Sequence, residues 1–482
     1  MYTNTEQPSR SISFSHDSEQ IKTKNVEILT GDPKKAIVAL ALPMIIAMML
    51  SSLYNVVNAI WVAGLGSDAL AAVGIVTPVF MIIMGIGVGI GTGATSAIAR
   101  KIGAGDKQGA DNTAVHALLI NITLGIILTV IGYIFLADIL LFMGAGELVP
   151  LALEYGHIII LGTVLFLFSN IMYGILRGEG DAKRPMYAMV ISSILNIILD
   201  PFLIYTCNMG IAGAAWGTII SILFIVVLYT YWIFIKRDTY LRITRAAFTY
   251  QNVIIFDILK VGLPASVEFI AMAIMSLFIN WILISTDGAN AVAIFTGGWR
   301  VIMIAMVPLI AIGTAVTAVA GAMYGAKRFG ELKAALVYGS KLGIGISIII
   351  AVVTFIAAPS ISYLFAYSEG GEHILSSMSD FLRVMVLIYP FAAIGITASC
   401  VFQGVGKGFT ALALNVMRSL IFICVLSYIL GIVFDLKSVG VWWGVILGDI
   451  LGGVLGFCIA LYFTSALIKY NSMAKERIDG VE

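Results

Sequence analysis

The chain has 482 residues, of which 60% are hydrophobic and 11% charged, with a formal net charge of +1 and a mean hydropathy of +1.02. Soluble domains carry about a quarter charged residues, so this composition excludes a water-soluble fold and places the chain in lipid. A near-neutral charge, with no basic stretch interleaved with aromatics, excludes nucleic-acid binding.

Residues 1–33 are polar and lack the short apolar core and small-residue cleavage site of a signal peptide, so they read as a partly disordered cytosolic tail. Asp32-Pro33 then gives a helix N-cap followed by proline at the first helical position. A bilayer core of about 30 Å takes roughly 20 apolar residues at 1.5 Å rise. Twelve runs qualify: 36–63, 70–99, 112–136, 151–176, 185–206, 211–235, 255–283, 291–324, 333–357, 376–402, 410–431 and 440–467. Several exceed the bilayer thickness, and kinks are expected at Pro43, Pro78, Pro264, Pro308 and Pro390.

Lys and Arg in alternate connections set the orientation. Lys22, Lys24, Lys34, Lys35, Arg100, Lys101, Lys107, Arg177, Lys183, Arg184, Lys236, Arg237, Arg242, Arg245, Lys260, Lys327, Arg328, Lys333, Lys407, Lys469, Lys475 and Arg477 fall on one side, and the opposite loops hold only Lys437. Both termini are therefore expected in the cytosol, with the protein in the cell membrane.

The sequence repeats at an offset of about 222 residues. Leu42-Pro43 answers Leu263-Pro264. Ile90-Gly91-Thr92 with Thr95 and Gly103-Ala104 answers Ile312-Gly313-Thr314 with Thr317 and Gly325-Ala326. Gly178 and Gly180 answer Gly404 and Gly406, and Gly213, Trp216 and Gly217 answer Gly440, Trp443 and Gly444. Because six helices return the chain to the same side, the repeat is parallel and relates two six-helix lobes by an axis along the membrane normal. The expected division is an N-terminal tail 1–33, an N-lobe 34–236, a cytosolic linker 237–254, a C-lobe 255–467 and a C-terminal tail 468–482. The fold class is all-α integral membrane.

Ionisable residues inside the membrane are costly and mark candidate sites, roughly 2.5 to 3.5 kcal/mol each on the insertion scale. Asp200 stands in the fifth span with Asn196 one turn earlier on the same face, and Pro201 directly after it would free a backbone carbonyl. Asn58 in the first span and Thr218 in the sixth fall at similar depth. A carboxylate, two amides and a hydroxyl suit Na⁺ coordination or proton uptake. The alternative for Asp200 is a carboxylate that only hydrogen-bonds neighbouring helices. In the second half Glu268 and Arg300 are expected to pair, either for structure or for transport, while Arg418 and Asp449 are read as structural.

Other signals are weaker. Gly85, Gly87, Gly89, Gly91 and Gly93 lie in an apolar run with no preceding strand, so they indicate close helix packing rather than a dinucleotide fingerprint. Cys207, Cys400, Cys424 and Cys458 are far apart, and His116, His157 and His373 are isolated, so no metal or catalytic spacing is present. The twenty Met residues suit an adaptable pocket or ordinary packing. No P-loop occurs. An enzyme or receptor would need clustered catalytic residues or a sizeable extramembrane domain, and neither is visible.

Leu42-Pro43, Tyr54-Asn55, Trp61-Val62-Ala63-Gly64-Leu65-Gly66 and Arg177-Gly178-Glu179-Gly180-Asp181, in this order with the duplicated glycine and tryptophan motifs, resemble the multidrug and toxic compound extrusion (MATE) family. The resemblance spans nearly everything after the tail and is strongest to its archaeal and bacterial DinF-like members. It implies a V-shaped pair of lobes and no enzymatic activity. The implied function is secondary antiport: multidrug efflux of amphipathic or cationic compounds in exchange for H⁺ or Na⁺, by alternating access. It further implies that Asn196, Asp200 and Thr218 line a cation site, with Asn170 in the same network, and that Glu268 matches a glutamate of another branch. With Tyr54 and Arg300, Glu268 is a candidate for substrate binding or second-lobe coupling. Asn58 stands where many relatives have an aspartate, so the site loses one titratable charge, which either weakens monovalent-cation binding or leaves Asp200 as the sole proton carrier. No cofactor beyond the coupling ion and no obligate protein partner are implied. The alternative is a flippase or exporter of a lipid-linked or specialised metabolite.

Overall fold

The computed structural model describes residues 23–365 and 372–479; the tail before residue 23 and the side chains of His373, Lys475 and Arg477 lie outside the described residues. Among the described residues there is no strand. Continuous helix is the form that satisfies backbone hydrogen bonds within lipid, and the apolar composition on all faces matches that environment. Large side chains such as Leu277 and Ile356 stand 71% and 73% exposed on the outside of the bundle.

A short helix, Lys24–Thr30, precedes the first span and buries Val26 and Leu29. The part of the tail next to the first span is therefore folded onto the bundle. The first three spans are Pro33–Ala63, Ser67–Gly103 and Lys107–Phe142. Asp32 caps the first by accepting from the Lys34 N–H at 2.8 Å. The fourth consists of Val149–Leu161 and Thr163–Gly178, bent by 44°. The fifth, Lys183–Pro201, continues as a π-turn over Phe202–Thr206, and the sixth is Gly210–Thr230 with a π-turn to Lys236.

The helical run Asn252–Gly325 is two spans, because Gly288 has φ 74 and ψ −160 and turns the chain back. A left-handed φ of this kind favours glycine. The seventh span is thus 252–287 and the eighth 289–325. The ninth is Phe329–Phe365, the tenth joins Glu372–Met385 to Ile388–Gly404 with a 48° bend, the eleventh is Gly408–Val433 and the twelfth Lys437–Asp479. The two bends above 40° fall at Gly162 and beside Leu387, whereas Pro43, Pro78, Pro264 and Pro308 lie within helices that run on through them.

The two sets of six spans meet along the second, seventh and eighth spans. At the end of the bundle that carries most of the Lys and Arg residues, the basic end, backbones nearly touch. A Cβ at Gly103 would lie 2.0 Å from the Ala322 carbonyl, and one at Gly325 2.0 Å from that of Arg100. Arg100 adds polar ties, donating to Asp257 at 2.7 Å and to the Gly404 carbonyl at 3.2 Å, while the Ser96 hydroxyl sits 2.9 Å from the same carbonyl.

The connection between the halves, residues 237–251, lies against the first half. The Leu241 N–H donates to Glu179, that of Arg242 to Asp111, that of Thr249 to Asn112 and that of Gln251 to His116. Arg184 pairs with Asp238 at 2.9 Å and with Asp181 at 2.8 Å. Glu179 is 1% exposed, and burial pushes its carboxyl up to about 8, against the opposing pull of the Leu241 N–H.

Candidate coupling site

Asp200 is fully buried, and Asn196 one turn before it is 2% exposed. The i,i+4 spacing puts both on the face of the fifth span that meets the sixth. That neighbour contributes Gly217, where a Cβ would lie 2.3 Å from Asp200 Oδ1. Any larger residue would occupy the space beside the carboxylate. Asp200 Oδ2 accepts from Asn58 Nδ2 at 2.6 Å, whereas Oδ1 and both polar atoms of Asn196 have no hydrogen-bond partner. Buried polar atoms without partners are rare in folded proteins and call for a ligand or water.

Thr218 donates to the Ala214 carbonyl of its own helix at 3.1 Å and lies within hydrogen-bond reach of the Tyr54 hydroxyl. Tyr54 thus joins Thr218, with Asp200 in electrostatic range, and Tyr155 of the fourth span is within electrostatic range of both Tyr54 and Asp200. Tyr155 carries no local sequence signal. The structure therefore unites Asn58, Asn196, Asp200, Thr218 and Tyr54. Asn170 is elsewhere: it donates to the Phe166 carbonyl at 2.9 Å and packs on Met84 and Gly87 of the second span.

The donor set is one carboxylate, two amides and a hydroxyl, all hard oxygen ligands. It fits a small cation or a proton and offers nothing to a soft metal. No group of three or more His, Cys, Asp or Glu that would hold a metal ion occurs among the described residues.

The second half has its own polar cluster. Glu268 accepts from Gln403 Nε2 at 3.3 Å and faces Asn415, with Arg418 in electrostatic range. The expected pair with Arg300 does not form, because Arg300 is exposed on the eighth span. Arg418 pairs instead with Asp449 at 2.6 Å. Gln403 and Asn415 escaped the sequence reading because amides are common in membrane helices and carry no charge.

The MatE family description matches residues 43–202 and 264–429, one stretch in each half and together more than half of the chain. The probable multidrug resistance protein NorM of Thermotoga maritima is 25% identical over 92% of this chain and 95% of its own length. The multidrug export protein MepA of Staphylococcus aureus is 26% identical over 92% and 97%. A solved structure described as the outward-facing conformation of a multidrug resistance MATE family transporter of the MOP superfamily is 42% identical, covers 93% of this chain and 99% of that one, and superposes with a TM-score of 0.91. Twelve spans in two repeated halves, each matched by the same family description, make this chain a member of the MATE family of multidrug efflux transporters, a multi-pass membrane transporter and not an enzyme.

Proposed function

We propose that the protein is a secondary antiporter that exports amphipathic or cationic organic compounds in exchange for H⁺ or Na⁺, with Asp200 as the coupling residue. The observation that carries this reading is the unpartnered Oδ1 of a fully buried membrane carboxylate, beside an amide with no partner at all. A cation entering between Asp200, Asn196 and Thr218 supplies what these oxygens lack. It also competes with the Asn58 amide for Oδ2.

Alternating access requires that the halves seal at one end while the substrate space opens at the other. The Gly103–Ala322 and Arg100–Gly325 contacts, with Arg100 on Asp257, support a seal at the basic end, which the Lys and Arg distribution assigns to the cytosol. Both termini then lie in the cytosol and the protein sits in the cell membrane. Substrate binds between the lobes, and cation uptake at Asp200 reshapes the first lobe so that substrate leaves outward.

The test is ethidium efflux from proteoliposomes under an imposed H⁺ or an imposed Na⁺ gradient, with Asp200→Asn alongside. Efflux driven by one ion and lost in the variant is the expected result and names the ion. Gradient-driven efflux that survives the substitution would remove Asp200 from the mechanism. No efflux under either gradient, from protein shown to be folded, would redirect the substrate toward a lipid-linked or specialised metabolite.

A further inference from the structure

We infer that Tyr205 is a positioning residue for the cation step: its hydroxyl holds the end of the first span against the fifth and so keeps the Asn58 amide on Asp200. This rests on the coupling role of Asp200 proposed above and adds a residue that tunes it.

The last carbonyls of a helix have no partner within the helix. Here Gly64 N–H returns to the Ile60 carbonyl and Leu65 N–H to that of Val62, so the Trp61 carbonyl is left over. Tyr205 Oη donates to it at 2.7 Å, and the two rings cross edge to face with centroids 6.3 Å apart. The adjoining residue is Gly64, where a Cβ would lie 2.2 Å from that hydroxyl. A side chain at this position would push the tyrosine away.

The placement of Tyr205 follows from the backbone after Asp200. Residues five apart on an α-helix point about 140° apart at 3.6 residues per turn. The π-turn over Phe202–Thr206 replaces that register with i to i+5 bonding, as in the Cys207 N–H to Phe202 carbonyl bond at 2.9 Å, and brings Tyr205 round toward the face that carries Asp200. The same two helices are thus tied twice, Asn58 to Asp200 and, three residues on, Trp61 to Tyr205. The first tie competes with the coupling cation and the second does not.

A fixed second tie raises the effective concentration of the Asn58 amide at Asp200 Oδ2 and so strengthens the competitor of the cation. Tyr205→Phe removes only that tie. In proteoliposomes exporting ethidium, the cation concentration for half-maximal activation falls by about two- to tenfold, the span of one net hydrogen bond. With H⁺ as the coupling ion, the activation profile moves to higher pH. Gly64→Ala, which displaces the hydroxyl, shifts activation in the same direction. In an Asn58→Ala background the Tyr205→Phe shift disappears, because the competitor is gone.

An unchanged half-activation in Tyr205→Phe, or the same shift with and without Asn58, would overturn the inference, since a merely structural tyrosine does not act through Asn58. Cation activation that persists in Asp200→Asn would instead sink the coupling site itself, whatever Tyr205 does, so the two failures are told apart by different variants.

Discussion

In the first half, Asp200 has one side-chain partner and one oxygen with none, whereas in the second half Glu268 is met by Gln403 and Asn415, and Asp449 is neutralised by Arg418. Both halves repeat one plan and both bury a carboxylate oxygen without a hydrogen-bond partner, Asp200 Oδ1 and Asp449 Oδ2, but Asp449 is ion-paired through its other oxygen to Arg418, whereas Asp200 meets only the Asn58 amide there. Burial of charge alone does not mark a coupling site. What distinguishes the first half is the missing counter-charge: Asp449 has the Arg418 guanidinium, and Asp200 has no ion pair among the described residues, so the positive charge it lacks is what a cation supplies.

The sharpest way to break this contrast is to compare Asp200→Asn with Glu268→Gln in the same gradient-driven assay. Export with the first is expected at the level of protein-free liposomes, and with the second to stay within about threefold of the parent. Equal losses would mean that coupling is shared between the halves. Next in size is the Arg418–Asp449 pair. Replacing Arg418 by Met leaves a buried carboxylate uncompensated and should cost roughly 3 kcal/mol of stability, whereas Arg418→Met with Asp449→Leu should recover most of it. Thermal unfolding monitored by size-exclusion chromatography reads both, and a double variant no better than the single would show that the pair does more than balance charge. The Tyr205→Phe shift is smaller again.

The smallest expected effect extends the contrast to Glu179, a third buried acid whose Oε2 accepts from the Leu241 N–H. Its carboxyl is raised from 4.5 to about 8 by burial, so between these values the folded protein holds a proton that the unfolded chain has released. Glu179 therefore lowers stability as pH rises across this window. Glu179→Gln should flatten that slope; an unaltered slope in unfolding measured from pH 5 to 8 would assign the dependence to other groups.

The fold was legible in the sequence because lipid leaves the chain few options, and the length of each apolar run, the basic loops and the offset repeat carry the information. The short connection at Gly288 was placed correctly between runs, although the helix signal continues on both sides. Asn196 and Asp200 were found from i,i+4 spacing, and Asn58 and Thr218 from counting depth along nearly straight helices. Asn170 entered through the family resemblance and not through this count, and its amide turns back to the Phe166 carbonyl. The expected Glu268–Arg300 pair failed because composition states which charges are present, but not which neighbours each one meets: Glu268 finds Gln403 and Asn415. Gly217 was visible only as part of a repeated motif; that it makes room for the Asp200 carboxylate required coordinates.

The laced connection between residues 237 and 251 has a consequence for measuring motion. Its backbone is held by side chains of the third span and of the loop around Glu179, so it travels as part of the first half although it leads to the second. Covalent slack between the halves is thereby confined to the junction of Gln251 with the helix that begins at Asn252. A spectroscopic label on the strap reports the first lobe, and a distance from it to the seventh span reads the rocking angle directly, with the pivot in the same short stretch of chain.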